Sequence, residues 1–478
     1  MRIQTDGLIP EIPESLDEDV STLAEVGIAV DVGTTTVAVN VWSLATRKLL
    51  ATVAEKNSQM RYGFDVIKRI TFATRPPLTG SSQVVESGPS ALHYAIVAQL
   101  EKMFSQAMVQ ASTKAPRGIR LEVSKIVITG NTTMLSFVCA FPVDSLAVAP
   151  FTPPSHFGFV SSWHEIRTGQ VNEKCSPLDL PTPEILHLFS SSVINKNTSV
   201  YFPPCIGAFI GADTVCAMLS AGFSALDGEK HTAFEYPLDV PLLLTDIGTN
   251  TEIALYIPST DSKKSKILCT SAAAGPAFEA ANISCGMSSV DGAIDKVFYN
   301  GNLECSVIGG GCAKGICGSG LISAGAVLYK NNFIDSSGVI QKSISKLGDG
   351  TNCIQLTPAV YLSQSDIRNM QLAKSAVFTG LSYMIERSPS LPVLCLAGSF
   401  GSNLDMQEAS AIGLIPSSLE KRCVSLGNAA LAGASALLFS KTLRNKALAL
   451  AKNSIQINLA AVPDFQQRYL SSIDFKSH

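Results

Sequence analysis

Two short runs about 215 residues apart constrain this chain more than any other feature. In the first, Gly27-Ile28-Ala29-Val30 leads into Asp31-Val32-Gly33-Thr34-Thr35-Thr36 and then Val37 to Trp42. In the second, Leu242-Leu243-Leu244-Thr245 leads into Asp246-Ile247-Gly248-Thr249-Asn250 and then Thr251 to Ile257. Each reads as an apolar strand, a tight turn that glycine permits, and a second strand. One such run describes an ordinary hairpin. Two at the spacing of a domain predict a duplicated α/β fold with two similar halves.

Three further segments extend the pattern. Ile126-Val127-Ile128-Thr129-Gly130-Asn131-Thr132 is a strand running into a polar turn, where Asn131 suits a helix N-cap. Lys314 to Gly320 opens a long apolar helix through Gly318-Ser319-Gly320. Val393 to Ala397 is a strand breaking into Gly398-Ser399-Phe400-Gly401. With the two Asp turns, these five segments follow the order of the nucleotide motifs of the actin/sugar-kinase/Hsp70 (ASKHA) superfamily. That resemblance implies RNase H-like halves with a nucleotide cleft between them. The expected organisation is an acidic flexible tail at 1–26, a first half at 27–240 with an irregular insertion at about 150–200, a second half at 241–446 and an extension at 447–478, with a strand at Gln456 to Ala461.

The chemistry follows from residue type. A triphosphate needs close backbone approach, N–H donors and hydroxyls, and a carboxylate at a strand end can hold Mg²⁺ through its waters. The expected phosphate and nucleotide contacts are Gly33, Thr34, Thr35, Thr36, Asn131, Thr132, Gly248, Thr249, Asn250, Gly318, Ser319, Gly320, Gly398, Ser399 and Gly401. Asp31 and Asp246 are the expected catalytic and Mg²⁺-side carboxylates. Asp213, in Gly211-Ala212-Asp213-Thr214, and Glu252 join them as catalytic candidates; Asp213 also suits an N-cap, and Glu252 an outward strand position. No G-x-x-x-x-G-K-[ST] run offers the other common phosphate cradle.

Composition narrows the partners. The chain is 46% hydrophobic and 16% charged, with net charge −3 and no block of Lys and Arg, so a nucleic-acid partner is not expected. No apolar run is long enough to span a bilayer, and the acidic start is unlike a signal peptide, so a cytoplasmic protein is expected. The 12 cysteines contain no CxxC pair and no ferredoxin-type spacing, so buried reduced thiols are expected and no iron–sulfur cluster.

Longer segments resemble a narrower group, the ATP-dependent reductive activators of corrinoid proteins. They include Tyr62-Gly63-Phe64-Asp65-Val66-Ile67-Lys68-Arg69-Ile70, Pro150-Phe151-Thr152-Pro153, Ala273-Ala274-Gly275-Pro276-Ala277-Phe278-Glu279, Asn282-Ile283-Ser284-Cys285-Gly286-Met287 and Ser363-Gln364-Ser365-Asp366-Ile367-Arg368. The resemblance runs from about Gly27 to the C-terminus. It implies ATP with Mg²⁺ as cofactors, a corrinoid protein as partner, a homodimer, and ATP hydrolysis coupled to reduction of Co(II) to Co(I). Such activators commonly carry their own iron–sulfur module. None is visible here, which implies either a separate low-potential donor such as a ferredoxin or a member that has lost reductase activity and uses ATP otherwise. Thr270 and Ser271 are the expected hydroxyl contacts to the corrinoid partner.

Other readings stand beside this one. A small-molecule kinase of the same superfamily would use Asp213 as general base. A nucleotide-dependent binding protein would need no reductase activity. An activator of a radical dehydratase would need Cys205 and Cys216, or Cys312 and Cys317, as cluster ligands at a dimer axis.

Overall fold

The stretch Val26-Gly27-Ile28-Ala29-Val30 has no polar side chain, which suits a strand buried on both faces. In the computed structural model it is the middle of β1 (Leu23–Val32), with Val26, Ile28, Ala29, Val30 and Val32 fully buried. The structure describes residues 23–75, 88–116, 118–171, 193–223, 240–259, 264–341, 345–346, 350, 352–398 and 404–476. Most of the acidic segment and the middle of the expected insertion lie outside them. The described residues form two units. One holds Leu23 to Phe223 together with Asn428–Ser454; the other holds Val240 to Gly427 and Ile455 to Lys476.

In the first unit, β1, β2 (Thr36–Ser43) and β3 (Leu49–Lys56) form an antiparallel meander. Next come α1 (Val66–Thr74) and α2 (Gly88–Lys114), then β4 (Arg120–Gly130), which lies parallel to β1. After α3 (Thr132–Val138) and α4 (Asp144–Ala147) come β5 (Val160–Ser162), α5 (Trp163–Thr168), β6 (Ser199–Tyr201) and α6 (Ala212–Ser220). The sheet order is β3-β2-β1-β4-β6-β5. The expected irregular insertion is partly regular. Ser162 and Glu165 form a capping box that starts α5, and Trp163 is fully buried beneath it.

The second unit repeats the plan. β7 (Leu242–Ile247), β8 (Thr251–Ile257) and β9 (Lys266–Ala272) form an antiparallel meander. A small sheet follows, made of β10 (Ala293–Tyr299), β11 (Leu303–Val307) and β12 (Gly315–Ile316), and then α7 (Gly318–Lys330). A second small sheet, β13 (Ser345–Lys346), β14 (Asn352–Thr357) and β15 (Val360–Ser363), leads into α8 (Gln364–Ile385). β16 (Val393–Ala397), α9 (Met406–Ala411) and β17 (Cys423–Gly427) then complete the main sheet. β16 is parallel to β7, and β17 is parallel to β16.

The chain then returns to the first unit as α10 (Ala429–Leu437) and α11 (Lys441–Asn453). All nine residues of α10 are buried. A Cβ on Gly433 would stand 2.1 Å from the Cys216 carbonyl oxygen of α6, so only glycine allows this approach. Ser220 Oγ donates to Ala429 O at 2.7 Å, and Trp42 Nε1 donates to Ser435 Oγ at 3.0 Å. The chain ends with β18 (Ser454–Gln456) and α12 (Phe465–Ser471), and the second main sheet runs β17-β16-β7-β8-β9-β18. The strand expected at Gln456 to Ala461 is instead at Ser454–Gln456 and overlaps the expected span at Gln456 alone. Asn458 accepts from Ala460 N at 3.1 Å and turns Leu459–Ala461 into a 3₁₀ turn.

In both main sheets the strand carrying the Asp turn lies between a meander on one side and parallel strands on the other. Each unit has its own apolar core packed around that sheet.

Candidate functional site: two phosphate-type turns

In the first unit Asp31 pairs in register with Thr129 of β4, and Val32 with Gly130. The turn closes by Gly33 N–H to Thr36 O at 3.0 Å, and a Cβ on Gly33 would stand 2.7 Å from that same oxygen. Three asparagines hold this turn, and all three work alike. Each uses Oδ1 to cap a helix or 3₁₀ turn and Nδ2 to donate to the Asp31–Thr34 loop. Asn57 caps Ser58–Arg61 and donates to Gly33 O at 2.8 Å. Asn131 caps α3 through Met134 N at 2.9 Å and donates to Thr34 Oγ1 at 3.0 Å. Asn428 caps α10 through Leu431 N at 2.8 Å and donates to Asp31 Oδ2 at 3.0 Å. Beneath them the fully buried Arg69 donates to Thr34 O at 2.6 Å and to Gly63 O at 2.8 Å.

Asp213 is the second residue of α6, beside this turn; the N-cap position is Gly211, not Asp213. A Cβ on Gly211 would stand 2.5 Å from Asn131 Cα and 2.6 Å from Asp213 Oδ1, so the two loops touch through glycine. Asp213 Oδ1 accepts from Thr214 N at 2.7 Å. Desolvation pushes its carboxyl up to about 6, against the pull of the Thr214 hydrogen bonds. Burial also raises the Cys216 thiol one turn on, with the charges of Asp213 and Asp31 adding to the effect. Thr132 is fully buried and donates to Gly207 O at 2.7 Å. Its hydroxyl braces the loop ahead of α6 and is not presented outward, unlike the expectation from sequence.

In the second unit Asp246 pairs with Ala397 of β16 and with Glu252 of β8. Gly398 has φ +83°, and a Cβ there would stand 2.5 Å from Asp246 Oδ1. Gly248 N–H donates to Asn250 O at 3.2 Å. Thr249 donates twice to Glu279 Oε1, from N at 2.6 Å and from Oγ1 at 2.9 Å, while Gly275 N–H donates to Thr249 O at 2.8 Å. The turn is thus tied to the Ala273–Glu279 segment.

Gly318-Ser319-Gly320 forms the first turn of α7. A Cβ on Gly320 would stand 2.1 Å from Ile294 O, so that glycine serves helix–strand packing, and Ser319 Oγ lies 3.2 Å from Cys317 Sγ. Ser399 and Gly401 lie outside the described residues. Thr270 is fully buried and donates to Ile457 O at 2.8 Å, so its hydroxyl is unavailable for the partner contact expected of it. Ser271 beside it is only partly buried.

These donor sets fit a phosphate chain. Each unit has a glycine at or beside its turn where a side chain would collide, Gly33 in one and Gly398 in the other, with threonine hydroxyls and a carboxylate at the strand end; in the second turn the Thr249 donors are held by Glu279. Among the described residues no group of three or more His, Cys, Asp or Glu could hold a metal ion. A cation at these turns would take one carboxylate, waters and phosphate oxygens, the arrangement Mg²⁺ favours. Among the described residues Cys205, Cys216 and Cys317 are buried free thiols and Cys312 is exposed. No described helix is long and apolar enough to cross a membrane.

The strand order, its repetition and the two Asp turns define an ASKHA-type nucleotide-binding fold. Comparison with known proteins agrees and narrows it. Residues 26–176 match the RACo middle region, and residues 241–478 match the C-terminal domain of RACo, the ASKHA domain. The chain is 29% identical over 473 residues to the corrinoid activation enzyme RamQ of Eubacterium limosum, covering 94% of this chain and 70% of that protein. It is 26% identical over 478 residues to a [Co(II) methylated amine-specific corrinoid protein] reductase of Methanosarcina barkeri, covering 94% and 77%. The solved structure of a reductive activator for a corrinoid, iron-sulfur protein superposes with a TM-score of 0.74 at 25% identity, covering 95% of this chain and 66% of that one. The chain belongs to the RACo family of reductive activators of corrinoid proteins.

Proposed function

We propose that this chain binds and hydrolyses ATP to drive the one-electron reduction of a corrinoid protein from Co(II) to Co(I). The observation that carries the reading is the double tie at the second turn. Thr249, a phosphate-type donor, is hydrogen-bonded to Glu279, the last residue of the Ala273–Glu279 segment that resembles these activators most specifically. Occupancy of the turn and the conformation of that segment are thereby linked.

ATP supplies, when bound with Mg²⁺, the free energy of phosphoanhydride hydrolysis. The chain's own residues hold and orient the nucleotide. Taken unit by unit, the phosphate-contact candidates are Gly33, Thr34, Thr35 and Thr36 in the first and Gly248, Thr249 and Asn250 in the second. Asp31 and Asp246 are the carboxylates that would face a bound Mg²⁺, each at the strand end of its own unit. Asp213, with its carboxyl raised to about 6 by burial, is the candidate to accept a proton from attacking water, and Glu252, in register with Asp246, is the second candidate. Reduction of Co(II) to Co(I) is uphill for physiological donors. A protein that binds the two cobalt states with different affinity shifts that balance, and only such differential affinity can do so. Ser271 is the remaining hydroxyl candidate for the partner contact. The electron comes from a separate low-potential donor such as a ferredoxin, and the protein works as a cytoplasmic homodimer.

The test is hydrolysis of Mg-ATP with and without a corrinoid protein held in the Co(II) state. Stimulation by the Co(II) form, and not by the same protein stripped of corrinoid, supports the reading; equal rates in both mixtures contradict it. A second reading has one observation in its favour. The raised Asp213 carboxyl would equally serve a small-molecule kinase, and ATP consumption stimulated by sugars or small carboxylates would select it.

A further inference from the structure

The chain leaves the second unit after Gly427, and the next residue, Asn428, is hydrogen-bonded to Asp31. Its amide is used at both ends. Oδ1 accepts from Leu431 N at 2.8 Å and caps α10; Nδ2 donates to Asp31 Oδ2 at 3.0 Å. The reverse orientation would set the amide donor against the Leu431 N–H and the amide oxygen against a carboxylate. Both contacts repel, so the helix cap fixes which end faces Asp31. The helix behind the cap is itself fixed. Gly433 lies against the Cys216 carbonyl, Ser435 receives the Trp42 indole N–H, and Ser220 binds Ala429 O. Asn428 is 8% exposed, so little water competes for its donor.

The geometry points to Asn428 as a positioning residue that sets the orientation of the Asp31 carboxylate for the metal side of a bound nucleotide. This rests on the reading of Asp31 as the Mg²⁺-side carboxylate. Asn57 and Asn131 hold the neighbouring backbone and hydroxyl of the same turn, whereas Asn428 is the asparagine of the three that reaches the carboxylate itself. It acts through Asp31, so its loss should alter the metal-dependent part of nucleotide binding.

The experiment is calorimetric titration of the full chain with ADP and with a non-hydrolysable ATP analogue, in EDTA and in Mg²⁺. Asn428→Ser and Asn428→Thr both keep an N-cap oxygen and both lose the amide donor. The expected result is a Mg²⁺ enhancement of affinity reduced about tenfold in both variants, the scale of a hydrogen bond to a charged group. Metal-free affinity stays within about twofold of wild type, and the melting temperature falls only by what the lost hydrogen bond to Asp31 contributes, because the cap persists. Wild-type Mg²⁺ enhancement in either folded variant overturns the positioning role. Absence of any Mg²⁺ enhancement in the wild type overturns the underlying reading of Asp31 instead.

Discussion

Glu279 Oε1 accepts two hydrogen bonds from Thr249, one from the backbone N–H at 2.6 Å and one from the hydroxyl at 2.9 Å. A carboxylate oxygen therefore lies on donors of the type a phosphate oxygen would use. The negative charge at that point opposes a metal-free polyphosphate. Glu279→Gln keeps an acceptor for Thr249 and removes the charge. Metal-free ADP should bind several-fold more tightly, corresponding to about 1 kcal/mol of relieved repulsion near a partly exposed site. Titration of both proteins in EDTA reads the difference.

Asp31→Asn and Asp246→Asn keep the shape of each turn and remove the carboxylate charge. Each should lower Mg-ATP hydrolysis by about 100-fold or more, since a metal-side carboxylate contributes several kcal/mol to stabilising charge in such sites. Circular dichroism and melting temperature should remain close to wild type. Single-turnover hydrolysis under excess protein measures the loss.

Gly398 is the backbone neighbour of Asp246, with φ +83° and no room for a Cβ within 2.5 Å of the carboxylate. Gly398→Ala imposes both a strained backbone and a displaced Asp246. A stability loss of about 1–3 kcal/mol is expected from the strain alone. Nucleotide affinity should fall with it. Urea unfolding with and without Mg-ADP separates the two effects, because a variant with an intact site would still be stabilised by ligand.

Much of this architecture was legible in the residues, and the illegible part has a physical pattern. Apolar runs ahead of Asp31 and Asp246 announce strands because a central strand must be apolar on both faces, and the turn residues announce where they end. What cannot be read is which distant partner consumes a hydroxyl or supplies a donor. Thr132 and Thr270 look like exposed turn and strand-end hydroxyls, yet the carbonyls of Gly207 and Ile457 take them. Asn428 sits in an Ala- and Gly-rich run that reads as packing, 397 positions from the carboxylate it holds. Its signal was local: a cap residue ahead of a small-residue helix, with a second amide end left to place. Glu279 and Arg69 lie inside segments that carry the family resemblance, but their contacts with the two turns depend on loops closing in three dimensions.

A buried histidine gives a pH signature independent of the nucleotide. His93 lies in α2, fully buried, with Nδ1 3.0 Å from Phe137 O, and desolvation pushes its pKa down to about 4 from 6.5. Between these values the unfolded chain binds a proton that the folded unit does not, so stability falls as pH drops from about 6.5 to about 4. The full contribution is on the order of 3 kcal/mol. His93→Gln should flatten this limb of the stability curve, and urea melts at pH 7, 6 and 5 would record it. An unchanged slope in the variant would show that other groups set the acid limb.

Co(I) is the product that the proposed reaction must yield. The chain is mixed anaerobically with corrinoid proteins of its own cell in the Co(II) state, a low-potential electron donor and Mg-ATP, and the cobalt absorbance is followed. The account predicts Co(I) that accumulates with ATP present, stays absent without it, and is lost with Asp31→Asn. Co(I) formed equally without ATP, or none formed with any corrinoid partner while the donor stays reduced, would contradict it.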